Sequence, residues 1–202
     1  MSNQELLPAY FFNFAVFLDR DGTINQERGY LCAPDDVVLL PTVCEALSLL
    51  NQLHIPVIVV TNQAALDRGL LRKEDFDAIN ATLQALLQNC GAGYDALYYC
   101  PHTPDLVPPC SCRKPRPGLL FQAALDYHLD LSRSYMIGDK LSDLQAGYAA
   151  GCHVILVRTG FGEATYGALT TQPQQPDFVA DTLLEAVQWI IETLGDSLSS
   201  RH

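Results

Sequence analysis

The sequence predicts an α/β fold: a doubly wound, Rossmann-like parallel sheet with helices on both faces. Three observations carry that reading. Short runs such as Phe14-Ala15-Val16-Phe17-Leu18 and Val57-Ile58-Val59-Val60 have no polar face, as strands buried on both sides require. Stretches of helical length separate these runs, and alternating strands and helices imply βαβ units. Three of the runs stop abruptly in polar residues, at Asp19, Thr61 and Asp139. In doubly wound folds the site lies beyond the carboxyl ends of the strands.

In order, the first strand covers residues 14–18 and is followed by a loop and a helix over 43–53. A second strand covers 55–60, and a helix covers 73–89. A strand at 96–99 runs into a loop rich in Pro and Cys, 100–112. Pro117 opens the next helix, 117–127, since its missing N–H is no loss at a first helical position. A short strand at 135–137, a helix at 141–150, a strand at 154–157 and a helix at 182–194 complete the set. One domain is expected over 10–195, with no large cap and only the 100–112 loop shaping the entrance. Residues 196–202 read as a flexible tail.

Two hundred and two residues suit one domain with a sizeable core. Hydrophobic content of 49% with 17% charged residues predicts folding rather than disorder. A net charge of −11 argues against a nucleic-acid partner or an anionic membrane surface. The placement of the twelve Lys and Arg is therefore informative. Arg20, Arg28, Arg68, Arg113, Lys114, Arg116 and Lys140 all lie in or beside the candidate motifs set out below, which suits a small anionic substrate. Residues 1–10 lack the basic start of a secretory signal, and no stretch has the length of a membrane span. Seven cysteines, an odd number, argue against a disulfide framework and for a reducing, cytoplasmic setting. Cys32, Cys44, Cys90 and Cys152 have no partner nearby in sequence and read as buried free thiols.

Asp19 and Asp21 stand two apart in Asp19-Arg20-Asp21-Gly22-Thr23. On an extended chain both carboxylates point to one side and Arg20 to the other. Such a pair repels unless a cation lies between them or one carries a proton. A turn explains Asp21-Gly22 but not Asp19. A calcium loop counted from Asp19 fails, because Ile24 and Tyr30 stand where it needs Gly and Glu. Thr61-Asn62-Gln63 either caps the next element or offers a hydroxyl to a phosphoryl oxygen. In Arg113-Lys114-Pro115-Arg116-Pro117-Gly118, prolines restrict the backbone around adjacent cations. Gly138-Asp139-Lys140-Leu141-Ser142-Asp143 ends a third strand in a carboxylate, which could cap the following helix. Cys100, His102, Cys110 and Cys112 suit a closed tetrahedral zinc site that shapes a loop rather than performs chemistry. Gly160-Phe161-Gly162 lacks the third glycine of a dinucleotide fingerprint, since Thr165 stands there, and reads as a loop.

These four motifs, three at strand ends and one before a helix start, in this order resemble those of the haloacid dehalogenase-like phosphatases. The resemblance runs from residue 14 to residue 143. It implies that Asp19 is the nucleophile and Asp21 the general acid and base, with Thr61 and Lys114 holding the phosphoryl oxygens. It also implies magnesium on Asp19, Asp139 and the backbone carbonyl of Asp21, with Asp143 either behind those ligands or simply helical. The zinc-type loop narrows the resemblance to the branch with the heptose-bisphosphate and histidinol-phosphate phosphatases. Asn25 to Tyr30, Arg68-Gly69 and Gly138-Asp139-Lys140 lean to the heptose side of that branch, whereas Ala64-Ala65 and the short loop between His102 and Cys110 depart from it. Glu27, Arg28, Gly29, Tyr30, Asn62, Gln63, Ala64, Arg113 and Lys140 would then line the substrate side. The implied partner is a small phosphorylated sugar, the 7-phosphate of a heptose 1,7-bisphosphate on the route to nucleotide-activated heptose, and the implied enzyme is a cytoplasmic monomer. The alternative is a phosphatase for histidinol phosphate or another small sugar phosphate. A non-catalytic zinc-loop protein on the same scaffold is the rival from another class, and the presence of every motif residue argues against it.

Overall fold

The computed structural model describes residues 12–199. Strand β1 (Val16–Leu18) is fully buried and forms the centre of a six-stranded parallel sheet of order β3-β2-β1-β4-β5-β6. Its neighbours are β2 (Val57–Asn62) and β4 (Tyr135–Gly138), with Leu18 level with Val59 on one side and Ile137 on the other. β3 (Ala96–Cys100) lies outside β2, and β5 (His153–Val157) and β6 (Phe178–Ala180) lie outside β4. The order reverses between β1 and β4, so the crevice of the fold opens beside the ends of those two strands.

Side chains on successive strand residues point to opposite faces, and the core divides accordingly. Val16, Leu18, Val57, Val59 and Ile137 pack against α1 (Val43–Gln52), α2 (Lys73–Asn89) and α6 (Leu183–Ser199). Ala15, Phe17, Ile58, Val60 and Met136 pack on the other face against α3 (Gly118–Tyr127) and α4 (Leu141–Ala150). Both faces are apolar because both are covered, which is why the strand runs lack alternation.

The strands and helices expected from sequence form within a few residues of their expected bounds. Two elements are additional: β6 on the sheet edge and α5 (Gly162–Ala168), which begins in the Gly160-Phe161-Gly162 stretch read as a loop. Helix α6 continues to Ser199, so residues 200–202 of the expected tail lie outside the described residues, as do residues 1–11. No described helix is long and apolar enough to cross a membrane.

One expectation is overturned. Cys44 and Cys90 are joined in a disulfide, 46 residues apart in sequence with Cα atoms 5.9 Å apart. Cys44 opens α1 and Cys90 caps α2, and the packing of both helices on one face of the sheet brings the two together. Cysteine spacing in sequence cannot report that proximity. The pairing also removes the support that free thiols lent to a reducing compartment. Cys152 is free and buried as expected, whereas Cys32 is free but exposed, against the expectation of a buried thiol.

Candidate active site

Asp19 directly follows β1, and its N–H still donates to Ile137 O at 3.0 Å, so the sheet ladder fixes its backbone. Asp139 follows β4 on the other side of the crevice, and Asp143 lies one helical turn further on α4. The three are buried, with one carboxylate oxygen from each within 4.8 Å of the others. Lys114 reaches into this group: Nζ is 2.7 Å from Asp19 Oδ1, 2.7 Å from Asp143 Oδ1 and 2.8 Å from Val60 O. Burial opposes the lysine's charge, but Asp143 and Asp19 outweigh it and raise its pKa, so it stays an ammonium.

Negative charge still exceeds positive charge here. Burial, and then the neighbouring Asp19 charge, push the Asp139 carboxyl up to about 8. The same two causes push the Asp143 carboxyl up, against the pull of Lys114. Asp139 Oδ2 accepts from Phe161 N at 2.8 Å, whereas Oδ1 is buried without a hydrogen-bond partner. A carboxylate oxygen is not left so in a folded protein without a reason. Gly22, at φ +93°, and Gly160 press on the Asp139 carboxylate so closely that a Cβ at either would collide with it. A hard divalent cation suits this set: oxygen ligands, an orphaned acceptor and surplus negative charge. The Asp21 carbonyl is available to it, since that oxygen meets only Lys140 Nζ at a long 3.4 Å.

Asp21 is placed differently from the extended-chain expectation. The backbone turns after Asp19, with the N–H groups of Ile24 and Asn25 donating to Arg20 O. Arg20 therefore bends back and grips the Asp21 carboxylate, with Nη2 to Oδ2 at 2.8 Å, rather than pointing away from it. Asn25 Nδ2 donates to Oδ1 at 2.9 Å and Gln63 Nε2 to Oδ2 at 2.8 Å. Burial would raise the Asp21 pKa, but the Arg20 guanidinium and these amides hold it below the usual carboxylate value. Arg20 is itself 1% exposed, donates to Asn80 Oδ1 at 3.1 Å and lies over the Phe76 ring.

Above these groups lies a cavity of about 460 Å³. Its lining includes Asp19, Asp21, Glu27, Gly29, Tyr30, Thr61, Asn62, Gln63, Ala64, Arg113, Lys114 and Lys140, all expected from sequence. Thr61 Oγ1 faces it from the end of β2 and accepts from Gln63 Nε2 at 2.9 Å. Asn62 pairs through its side-chain amide with both the N–H and the carbonyl of Lys114, at 3.1 and 3.0 Å, and so holds the lysine's backbone. Lys140 Nζ is 2.6 Å from Glu27 Oε2, and Gly29 N donates to Glu27 Oε1 at 2.7 Å. Arg28 is exposed and does not line the cavity. Arg68, Asp143 and Phe161 line it without having been assigned there from sequence. Of these, Arg68 is legible from sequence only as a nearby cation, and the position of Asp143 four residues after Asp139, on the next helix, signals its place.

Cys100, His102, Cys110 and Cys112 converge beside the cavity mouth. The separations of 3.0 and 3.6 Å between sulfurs, and 3.3 and 3.5 Å between sulfur and His102 Nδ1, crowd four ligand atoms around one point. Tetrahedral zinc with bonds of about 2.3 and 2.0 Å sets its ligand atoms about 3.5–3.8 Å apart. The separations of 3.5 and 3.6 Å match that spacing, and those of 3.0 and 3.3 Å are tighter. Three thiols and an imidazole are a zinc-type donor set, and the four donors leave no open position. Burial works against a thiolate at Cys110, but the N–H of Arg113 and the neighbouring ligands bring that thiol down to about 7.

Known proteins resemble this chain in sequence and in fold. The HAD-hydrolase-like family profile matches residues 111–186. The D-glycero-D-manno-heptose-1,7-bisphosphate 7-phosphatase of Thermosynechococcus vestitus is 40% identical over 193 residues, 90% of this chain and 97% of that protein. The D-glycero-beta-D-manno-heptose-1,7-bisphosphate 7-phosphatase of Escherichia coli K12 is 35% identical, covering 90% of each chain. Among solved structures, the D,D-heptose 1,7-bisphosphate phosphatase from B. bronchiseptica, complexed with magnesium and phosphate, superposes with a TM-score of 0.83 at 34% identity. That superposition covers 89% of this chain and 99% of the other.

Proposed function

Because the chain belongs to the heptose-bisphosphate phosphatases of the haloacid dehalogenase-like hydrolases, we propose that it removes the 7-phosphate from D-glycero-D-manno-heptose 1,7-bisphosphate. The observation that carries the chemistry is the buried Asp19–Asp139–Asp143 group with Lys114 bonded to Asp19. An Asp19 oxygen attacks phosphorus, the bond to the sugar oxygen breaks, and an aspartyl-phosphate forms. Asp21 gives a proton to the departing sugar oxygen, then takes one from the water that cleaves the acyl phosphate. Lys114 and Thr61 hold the equatorial phosphoryl oxygens. Asp19, Asp139 and the Asp21 carbonyl would hold magnesium, which supplies neutralisation of phosphoryl charge. The product is a sugar 1-phosphate, the substrate class of nucleotidyl transferases. That chemistry supports a place in nucleotide-activated heptose and lipopolysaccharide core synthesis.

The test is phosphate release with magnesium present, measured on heptose 1,7-bisphosphate, heptose 7-phosphate and histidinol phosphate. The bisphosphate is expected to give the highest kcat/KM, with phosphate lost from C7 by phosphorus NMR. A higher kcat/KM for histidinol phosphate overturns the substrate while leaving the reaction class in place.

Magnesium binding should depend on pH with a definite sign. A carboxyl whose pKa rises on folding favours the fold at low pH, and that stabilisation is lost as pH rises through the folded value. For Asp139 the window lies between the ordinary 3.8 and about 8. The cation takes the ionised carboxylates, so it offsets the loss where it is greatest. Magnesium is expected to raise the melting temperature more at about pH 9 than at about pH 6. Equal shifts at both would remove Asp139 from the ligand set.

Zinc should be structural. Protein purified without chelator is expected to carry about one zinc per chain while still requiring magnesium for turnover. Cys110→Ser should lose that zinc, loosen the 100–112 loop and weaken substrate binding, because Arg113 Nη1 donates to His102 O at 3.0 Å. Elemental analysis and KM measurements check both parts, and zinc-free wild-type protein would refute the site.

A further inference from the structure

We propose that Arg68 is a specificity-determining residue that, together with Arg113, takes the anionic group of the substrate that is not cleaved. The proposal rests on the bisphosphate reading above and assigns its second phosphate to particular side chains. Its starting point is charge pairing. The chain has 23 Asp and Glu against 12 Lys and Arg, so a basic side chain is surrounded by candidate partners. Arg20, Arg72, Lys73, Lys114, Lys140 and Arg158 have each taken a carboxylate. Among the described residues Arg28, Arg68, Arg113, Arg116 and Arg133 are in no ion pair, and of these Arg68 and Arg113 line the cavity that holds Asp19.

Arg68 is also held in place. Its Nη1 donates to Tyr30 OH at 2.8 Å, and the guanidinium lies 6.0 Å from the Tyr30 ring centroid. Its neighbour Asp67 accepts from Thr103 N, in the loop of the cysteine and histidine cluster, at 3.0 Å. The segment after β2 is thus tied on one side to the loop after β1 and on the other to the loop after β3. Gly69, at φ +66°, makes the turn that follows. One Arg68 nitrogen is used by Tyr30, which leaves the remaining donors of its planar fork for a phosphate.

Lys114 and the carboxylate group already define the reacting end, so a second phosphate needs cations away from it. Arg113 and Arg68 supply these from two different loops, whereas Arg28, assigned from sequence, lies outside the cavity. A fork held by a tyrosine hydroxyl selects a tetrahedral anion over the ammonium and imidazole of histidinol phosphate.

The experiment compares heptose 1,7-bisphosphate with heptose 7-phosphate, which keeps the scissile group and lacks the distal one. The readout is the ratio of their kcat/KM values. Arg68→Ala is expected to reduce that ratio about tenfold or more, through KM for the bisphosphate rather than kcat. Arg68→Lys keeps the charge and loses the fork, so it should recover part of the ratio. Tyr30→Phe, which frees the guanidinium, should fall between wild type and Arg68→Ala. If the wild-type enzyme does not prefer the bisphosphate, the proposed function fails. If it does, and Arg68→Ala keeps the full preference or loses both substrates in proportion, the assignment of Arg68 is overturned while the function stands.

Discussion

Asp19→Asn is expected to lower phosphate release by about a thousandfold or more on every substrate, because the amide is not a nucleophile toward phosphorus. The fold should survive. Lys114 would keep Asp143 at 2.7 Å, and one of three crowded carboxylates would become neutral. Asp19 is among the charges that push up the Asp139 and Asp143 carboxyls, so its loss lowers both toward ordinary values. Metal-free Asp19→Asn should therefore melt no lower than metal-free wild type. Its response to magnesium should shrink, since a ligand is lost with the nucleophile. Single-turnover assays would detect no phosphoryl-enzyme by mass. Near-normal release from a variant verified as Asn at this position would eliminate the covalent mechanism.

The parts of this site that were legible in sequence are those set by backbone position. Asp19, Thr61 and Asp139 each follow a run with no polar face, and the sheet places such strand ends together. Lys114 was legible because prolines bracket a cation just before a helix start. What stayed hidden depends on where side chains travel after the backbone turns. Arg20 should face away from Asp21 on an extended chain, but the turn at Ile24 and Asn25 lets it reach back. Arg68 was visible as a cation near the site, but its contact with Tyr30 spans 38 residues and leaves no local pattern. Strand β6 is three residues long and pairs only with β5, which is too short to read as a strand run. Helix α5 starts at Gly162 and contains Gly167, both poor helix formers. Gly162 is there for space, since a Cβ would collide with Val157 O. The disulfide between Cys44 and Cys90 belongs to the same class: two helices packed on one sheet face bring distant residues together, and no local pattern announces it.

Asp21→Asn should separate the two half-reactions. With a sugar phosphate the leaving alkoxide needs a proton, and losing a positioned acid costs about 10²–10⁴ in rate. With acetyl phosphate or p-nitrophenyl phosphate the leaving group departs without one. The first step should then proceed, and the block should move to hydrolysis of the aspartyl-phosphate, where Asp21 acts as base. A burst of leaving group near one equivalent per enzyme, followed by slow turnover, is the expected trace. In the resting enzyme, Arg20 and the amides of Asn25 and Gln63 favour the ionised carboxylate, the form required for the second step. An arriving phosphoryl group adds negative charge beside it and raises its affinity for the proton required in the first. The substitution also carries a structural cost. Arg20 is 1% exposed and would lose its carboxylate, while the new amide N–H₂ would face a donor. Breaking a buried pair from one side costs about 3–5 kcal/mol. Thermal unfolding therefore has to accompany the kinetics. Asp21→Glu keeps the charge for Arg20 but moves the carboxyl by a methylene, so it should recover melting temperature while turnover of the sugar phosphate stays low. If Asp21→Asn turns over sugar phosphates at the wild-type rate, or if Asp21→Glu restores rate and stability together, Asp21 is a structural partner of Arg20 and another group carries the proton.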